Sequence, residues 1–123
     1  MLSYDDAEAA IAFLCRAFGF EERYRLDMPD GSIGHAELVL GDGVVMLATT
    51  WKAAGMATPL ELGGVHGQIH CLVDDVDAHF ERARDAGATI AAEPEDQFHG
   101  ERSYRAVDPE GHRWIFAARI QEG

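Results

Sequence analysis

The stretch "SYRAVDPEGHRWIFAA" (103–118) decides the fold, because the chain contains a second version of it. "HAELVLGDGVVMLATT" (35–50) lies over it when Gly43 is set against Gly111. Each is an apolar run, a turn ("LGDG", 40–43; "DPEG", 108–111) and another apolar run, the pattern of an antiparallel hairpin. A histidine beside carboxylates, as in "DPEGH", can belong to a metal or catalytic site. Here the turn accounts for it without chemistry: His112 is expected as an exposed residue opening a strand, and Val44 takes its place in the first copy.

Each hairpin is preceded by a helix of the same design. "YDDAEAAIAFLCRAFGF" (4–20) and "VDDVDAHFERARDAGA" (73–88) both pass from an apolar residue through an Asp pair into a helical pattern. Asp5 with Glu8, and Asp74 with Asp77, have the spacing of an N-cap and its N3 acid. Ile11, Leu14 and Phe18 form one apolar stripe, and Val76, Phe80 and Ala83 the other. Gly19 and Gly87 stop the two helices. The helix starts match at an offset of 69 (Asp5 to Asp74) and the hairpins at 68 (Gly43 to Gly111), so one residue is dropped between them.

The repeating unit is strand, helix, three strands. Module one (1–50) is expected to hold "MLSY", helix 6–18 and strands near 20–28, 33–40 and 44–50. Module two (66–120) is expected to hold strand 66–73, helix 75–86 and strands near 88–93, 101–107 and 112–119. Segment 51–65, with little periodicity and a Gly-Gly end, links them within one domain spanning 1–123. The fold class is α+β.

Composition narrows the function. A formal net charge of −12 argues against nucleic acid, whose phosphates require clustered Lys and Arg, and its diffuse field favours cationic over anionic small molecules. No apolar run is long enough to span a membrane. The acids of "MLSYDDAEAA" stand where a secretion signal needs a basic and then an apolar stretch. Cys15 and Cys71 are too few for a disulfide framework and read as buried spectator thiols, so a reduced cytoplasm is expected.

A tandem βαβββ duplication with "VDD" at a strand-to-helix junction and "DPEGHRW" before the last strand resembles the vicinal oxygen chelate superfamily. That group includes glyoxalase I, bleomycin-resistance proteins and extradiol dioxygenases. "AIAFLCRAFGFEERYRL", "IGHAELVLGDGVVML" and "YRAVDPEGHRWIFA" look most like its glyoxalase-like branch. The resemblance covers essentially the whole chain. It implies an open, cup-shaped mixed sheet with helices outside and a ligand inside. It also implies a divalent metal held by His, Gln or Glu on the first and last strands of each module.

Carried over by motif, the metal positions fall on Gln68 and Ile115, with Leu47 as the first-module counterpart of Ile115. The counterpart of Gln68 falls before Met1. One amide and two aliphatic side chains are a poor ligand set, so no cofactor is expected, although His70 shares a strand face with Gln68. Strand alternation places His35, Glu37, Val45, Leu47, Gln68, His70, Arg105 and Ile115 in the cup, with Arg113 and Ala117 beside Ile115 and with Trp114 and Phe116 against a helix. Glu37 and Arg105 are expected either to pair or to meet a ligand. Trp51, Phe98, His99 and Tyr104 are expected near the cup mouth, and His66 and His79 in solvent.

The resulting expectation is a metal-independent protein that binds a cationic or aromatic small molecule, as bleomycin-resistance proteins do, with antibiotic resistance as the best-known precedent. The alternative is a lyase, isomerase or dioxygenase with a non-standard site, for which His35 and Glu37 are the catalytic candidates. A third reading is a dimeric module whose cup has lost its ligand. On the family's precedent a homodimer is expected.

Overall fold

The computed structural model describes residues 1–120. The strands are β1 (Leu2–Tyr4), β2 (Glu21–Asp27), β3 (Ile33–Leu40), β4 (Gly43–Thr49), β5 (Ile69–Leu72), β6 (Thr89–Asp96), β7 (Glu101–Val107) and β8 (Arg113–Arg119). The helices are α1 (Ala7–Phe18), the short α2 (Pro59–Leu62) and α3 (Val76–Asp85). The four-stranded sheets run β1-β4-β3-β2 and β5-β8-β7-β6. In each, the first strand pairs parallel to the last and the others run antiparallel. The α+β architecture of two tandem βαβββ modules is therefore present. The linker is more ordered than its periodicity implies, with a 3-10 turn at Lys52–Ala54 and then α2, which Thr58 caps.

Both helices start one residue later than the acid spacing predicts. The N-caps are Asp6 and Asp75, whose carboxylates accept 3.0 Å bonds from the Ala9 and Ala78 amides. Two adjacent aspartates offer two possible registers, and in both helices the second is taken. The Asp5 amide is bound by the carboxylate of Glu110, from the other module.

The stripe Ile11, Leu14 and Phe18 is buried as expected, and Phe18 does more than cover its own sheet. Its ring lies 4.7 Å from Phe116 and 5.5 Å from Trp114, both on β8. α1 also packs on α3. The covered faces of the two sheets thus share one core, and the opposite face of each sheet stays open. Burying aromatic side chains of this size stabilises by about 2–3 kcal/mol each, which makes the junction between modules part of the core rather than a contact between finished domains.

Polar groups tie the same junction. Asp108 is 4% exposed and accepts from the Tyr4 hydroxyl (2.6 Å), the Trp114 indole (3.0 Å) and the Glu110 and His112 amides. His112 is not the exposed strand opener the sequence suggests. Its Nε2–H donates to the Ser3 carbonyl at 2.8 Å, and its ring lies 4.7 Å from that of Tyr4. "DPEGH" is a turn, as expected, and also a clamp on β1.

His79 likewise leaves the solvated position expected for it. Its Nε2–H donates to the Phe18 carbonyl at 2.7 Å, so its Nδ1 accepts from the Tyr104 hydroxyl at 2.6 Å. Burial lowers its pKa, the Phe18 bond opposing this in part and the Arg82 charge adding to it. Tyr104, expected near the cup mouth, is fully buried in the core. Cys15 and Cys71 are half-buried free thiols, and burial pushes the Cys71 pKa up to about 11, consistent with unreactive spectators.

Candidate functional site

The candidate side chains stand on the open faces, divided between the two sheets. On the first sheet, His35 and Glu37 alternate along β3 with the buried Ala36 and Leu38. His35 Nε2 donates to Glu37 Oε2 at 3.0 Å, and Arg23 Nε donates to Glu37 Oε1 at 3.0 Å. These two donors, His35 first, hold the Glu37 carboxyl below the usual carboxylate range. Both oxygens are therefore occupied from within the sheet. Tyr24, in register with Glu37, and Leu26, in register with His35, add apolar surface.

Two expected members, Leu47 and Val45, are on the wrong side. Leu47 is fully buried and pairs with Ala36, on the helix-covered face, and Val45 packs against the core beside it. Met46 pairs with Glu37 and occupies the open face, 42% exposed. The cause lies in the turns. Asp108 and His112 close a turn with three residues between them, whereas Leu40 and Gly43 enclose two. Aligning the glycines therefore shifts β4 by one residue, which in a strand exchanges the faces.

On the second sheet, His70, Ile115 and Arg105 form one row across β5, β8 and β7. His70 also borders a cleft of about 530 Å³, between β5 and the β3–β4 turn, with Val44 and Leu72. Gln68 is exposed just before β5, beside a groove of about 330 Å³ that Leu2, Met56 and His112 help to line. Arg105 does not pair with Glu37, which belongs to the other sheet and is bound by Arg23.

Sequence reading missed Glu101 at the start of β7. Its Oε1 accepts from His70 Nε2 at 3.1 Å and from His99 Nε2 at 3.2 Å. These imidazoles, His70 first, lower the Glu101 pKa. Phe98 beside them is fully exposed, and Trp51 and His66 are exposed. The signal for Glu101 was the alternation of β7, which puts Glu101, Ser103 and Arg105 on one face.

The strand positions at which the family resemblance implies a metal do not fit one. The open-face residue of β4 is the thioether Met46, that of β8 is the alkyl Ile115, and Gln68 offers a neutral amide before β5 begins. Such donors do not replace the hydration of a hard or borderline divalent ion. Among the described residues no group of three or more His, Cys, Asp or Glu is arranged to hold a metal. No helix among them is long and apolar enough to cross a membrane.

Comparison with known proteins agrees with the architecture. Residues 1–116 match the family model described as "Glyoxalase/Bleomycin resistance protein/Dioxygenase superfamily". An uncharacterized Mycobacterium bovis protein, Mb0911c, is 40% identical over 98% of this chain and 82% of its own length. The crystal structure of TioX from Micromonospora sp. ML1 superposes with a TM-score of 0.76 at 36% identity, covering 97% of this chain and 94% of that one. Glyoxalase I from Zea mays superposes with a TM-score of 0.74 over 97% of this chain and 43% of that one, at 21% identity, a likeness of fold alone. With duplication, topology and sequence in agreement, the chain belongs to the glyoxalase/bleomycin resistance protein/dioxygenase superfamily.

Proposed function

We propose that the protein is a metal-independent binder of a small organic molecule, most readily an aromatic one, held against the open sheet faces of a homodimer. One observation carries this reading. The open face of the first sheet is built like a binding wall, with Tyr24, Leu26, Val44 and Met46 each more than 40% exposed around the His35–Glu37–Arg23 cluster. An apolar surface with a few polar groups is the usual lining of a small-molecule site. Leaving it in water is unfavourable, and one chain turns both its open faces away from the shared core. A second copy supplying the complementary face would close a cup around a ligand. The His35 imidazole, whose Nε2 donates to Glu37, then orients the ligand through Nδ1, and no bond-making step is assigned to it or to Glu37.

The test is thermal denaturation of chelator-treated protein against a panel of planar aromatic compounds, with sedimentation velocity in parallel. Binding to the folded state alone raises stability by RT ln(1 + [L]/Kd), about 2.7 kcal/mol at a hundredfold excess over Kd. The expected result is a dimer at micromolar concentration, stabilised by some members of the panel without metal. Stabilisation appearing only after addition of zinc, nickel, iron or manganese would overturn the reading in favour of a metal-dependent lyase, isomerase or dioxygenase.

A further inference from the structure

The chain has 10 Lys and Arg against 22 Asp and Glu, so each cation has acids in excess to pair with. Most are engaged. Arg23, Arg25, Lys52, Arg84 and Arg102 form ion pairs. Arg82 binds the carbonyls of Arg16 and Cys15, and Arg16 lies over the Phe13 ring. The other three, Arg105, Arg113 and Arg119, make no ion pair or side-chain hydrogen bond among the described residues.

These three stand on one surface. Arg105 pairs in register with Ile115, and Arg113 and Arg119 alternate with Ile115 along β8, so all face the open side of the second sheet. Arg105 lies in the row of His70 and Ile115, flanked by Ala92 of β6. The acids on this face do not neutralise it. Glu101 is held by His70 and His99 although Arg119 is its register partner, and Glu95, on the edge strand β6, makes no ion pair among the described residues. On the first sheet Glu37 has both oxygens occupied.

Resting on the binding reading above, we infer that the ligand carries an anionic group, a carboxylate or sulfonate on an aromatic frame, received by the Arg105 guanidinium on the open face of the second sheet. This reverses the class that the net charge of −12 favours. A diffuse field acts on approach and is screened over about 8–10 Å at physiological salt. Selectivity at contact depends instead on which charge is unpaired when the cup closes. A guanidinium offers a planar fork that meets a carboxylate with two parallel hydrogen bonds, and Ile115 and Ala92 beside it supply apolar walls.

A matched series separates the alternatives: 2-naphthoate, neutral 2-naphthamide and 2-naphthylmethylammonium, titrated by calorimetry against the full chain at physiological salt. The expected result is 2-naphthoate binding at least about tenfold more tightly than the ammonium compound. Arg105→Gln should remove that preference, and Arg105→Lys should restore part of it. Lys52→Gln, a cation off both open faces, should leave the preference intact. Tighter binding of the ammonium compound, or a preference for naphthoate that survives Arg105→Gln, would overturn the inference while the binding reading stands. Failure of all three compounds to bind would count against both.

Discussion

The hydroxyl of Tyr4 donates a 2.6 Å hydrogen bond to Oδ2 of Asp108, joining the first strand of one module to the last turn of the other. Asp108 has almost no solvent contact and also accepts from Trp114 and two amides, so truncating it strands several buried donors together. Asp108→Ala should cost about 3–5 kcal/mol in urea denaturation, in the range of other broken buried networks. Tyr4→Phe, which leaves the Trp114 bond in place, should cost only about 1–2 kcal/mol. Equal losses for the two variants would mean that the hydroxyl, rather than the whole network, holds the junction.

Stability should fall on mild acidification, and His79 should be a source of the fall. Its folded pKa is depressed below 6.5, so the unfolded chain takes up a proton more readily. Its contribution is fully present above about pH 6.5 and is lost as pH drops from there toward the folded value. The depressed carboxyls of Glu37, Glu101 and Asp77 act in a lower window, beneath their ordinary values of 4.5, 4.5 and 3.8. Denaturation midpoints between pH 7 and 5 should therefore slope less in His79→Gln than in the parent chain. An unchanged slope would remove His79 as the cause.

Neighbouring residues of β4 should respond in opposite ways to the same substitution. Leu47→Glu places a charge in the core and should prevent folding, whereas Met46→Glu faces the open side and should change stability by less than about 1 kcal/mol. Circular dichroism of the two purified variants is sufficient. Folded Leu47→Glu protein would mean that the register of β4 is the one the glycine alignment implies.

Gly111 should be less replaceable than Gly31, although both have φ near +90°. A Cβ at Gly31 meets nothing within 4 Å, while one at Gly111 comes within 3.1 Å of the Leu60 amide nitrogen and of Pro59 Cβ. Gly31→Ala should cost about 1 kcal/mol, from backbone strain alone. Gly111→Ala should cost more, because α2 must also move off the turn. Thermal melts of the pair would show this, and equal shifts would mean that α2 yields freely.

The duplication was legible because its signals are local and occur twice. Asp pairs before an amphipathic run, glycines after it and Gly-containing turns between apolar runs depend on residues within a few positions of one another. They gave β3 and β7 their observed ends and the helices theirs to within a residue. The sorting of β7 and β8 into open and covered faces also follows from alternation once one inward residue is known, as Trp114 and Phe116 show.

What escaped depended on contacts across the sheets or between the modules. Leu47 was misplaced because a single extra turn residue exchanges strand faces, and a gap of one is not visible until the two hairpins are paired. His79 and His112 read as solvated because nothing near them in sequence partners them, while the carbonyls they bind lie 61 and 109 residues away. The repeated unit, the family and the net acidity could be read from the chain alone, because each is a local pattern or a sum over residues. Which charges remain unpaired on the open faces had to come from the folded chain, because pairing depends on distances of a few ångströms between strands far apart in sequence.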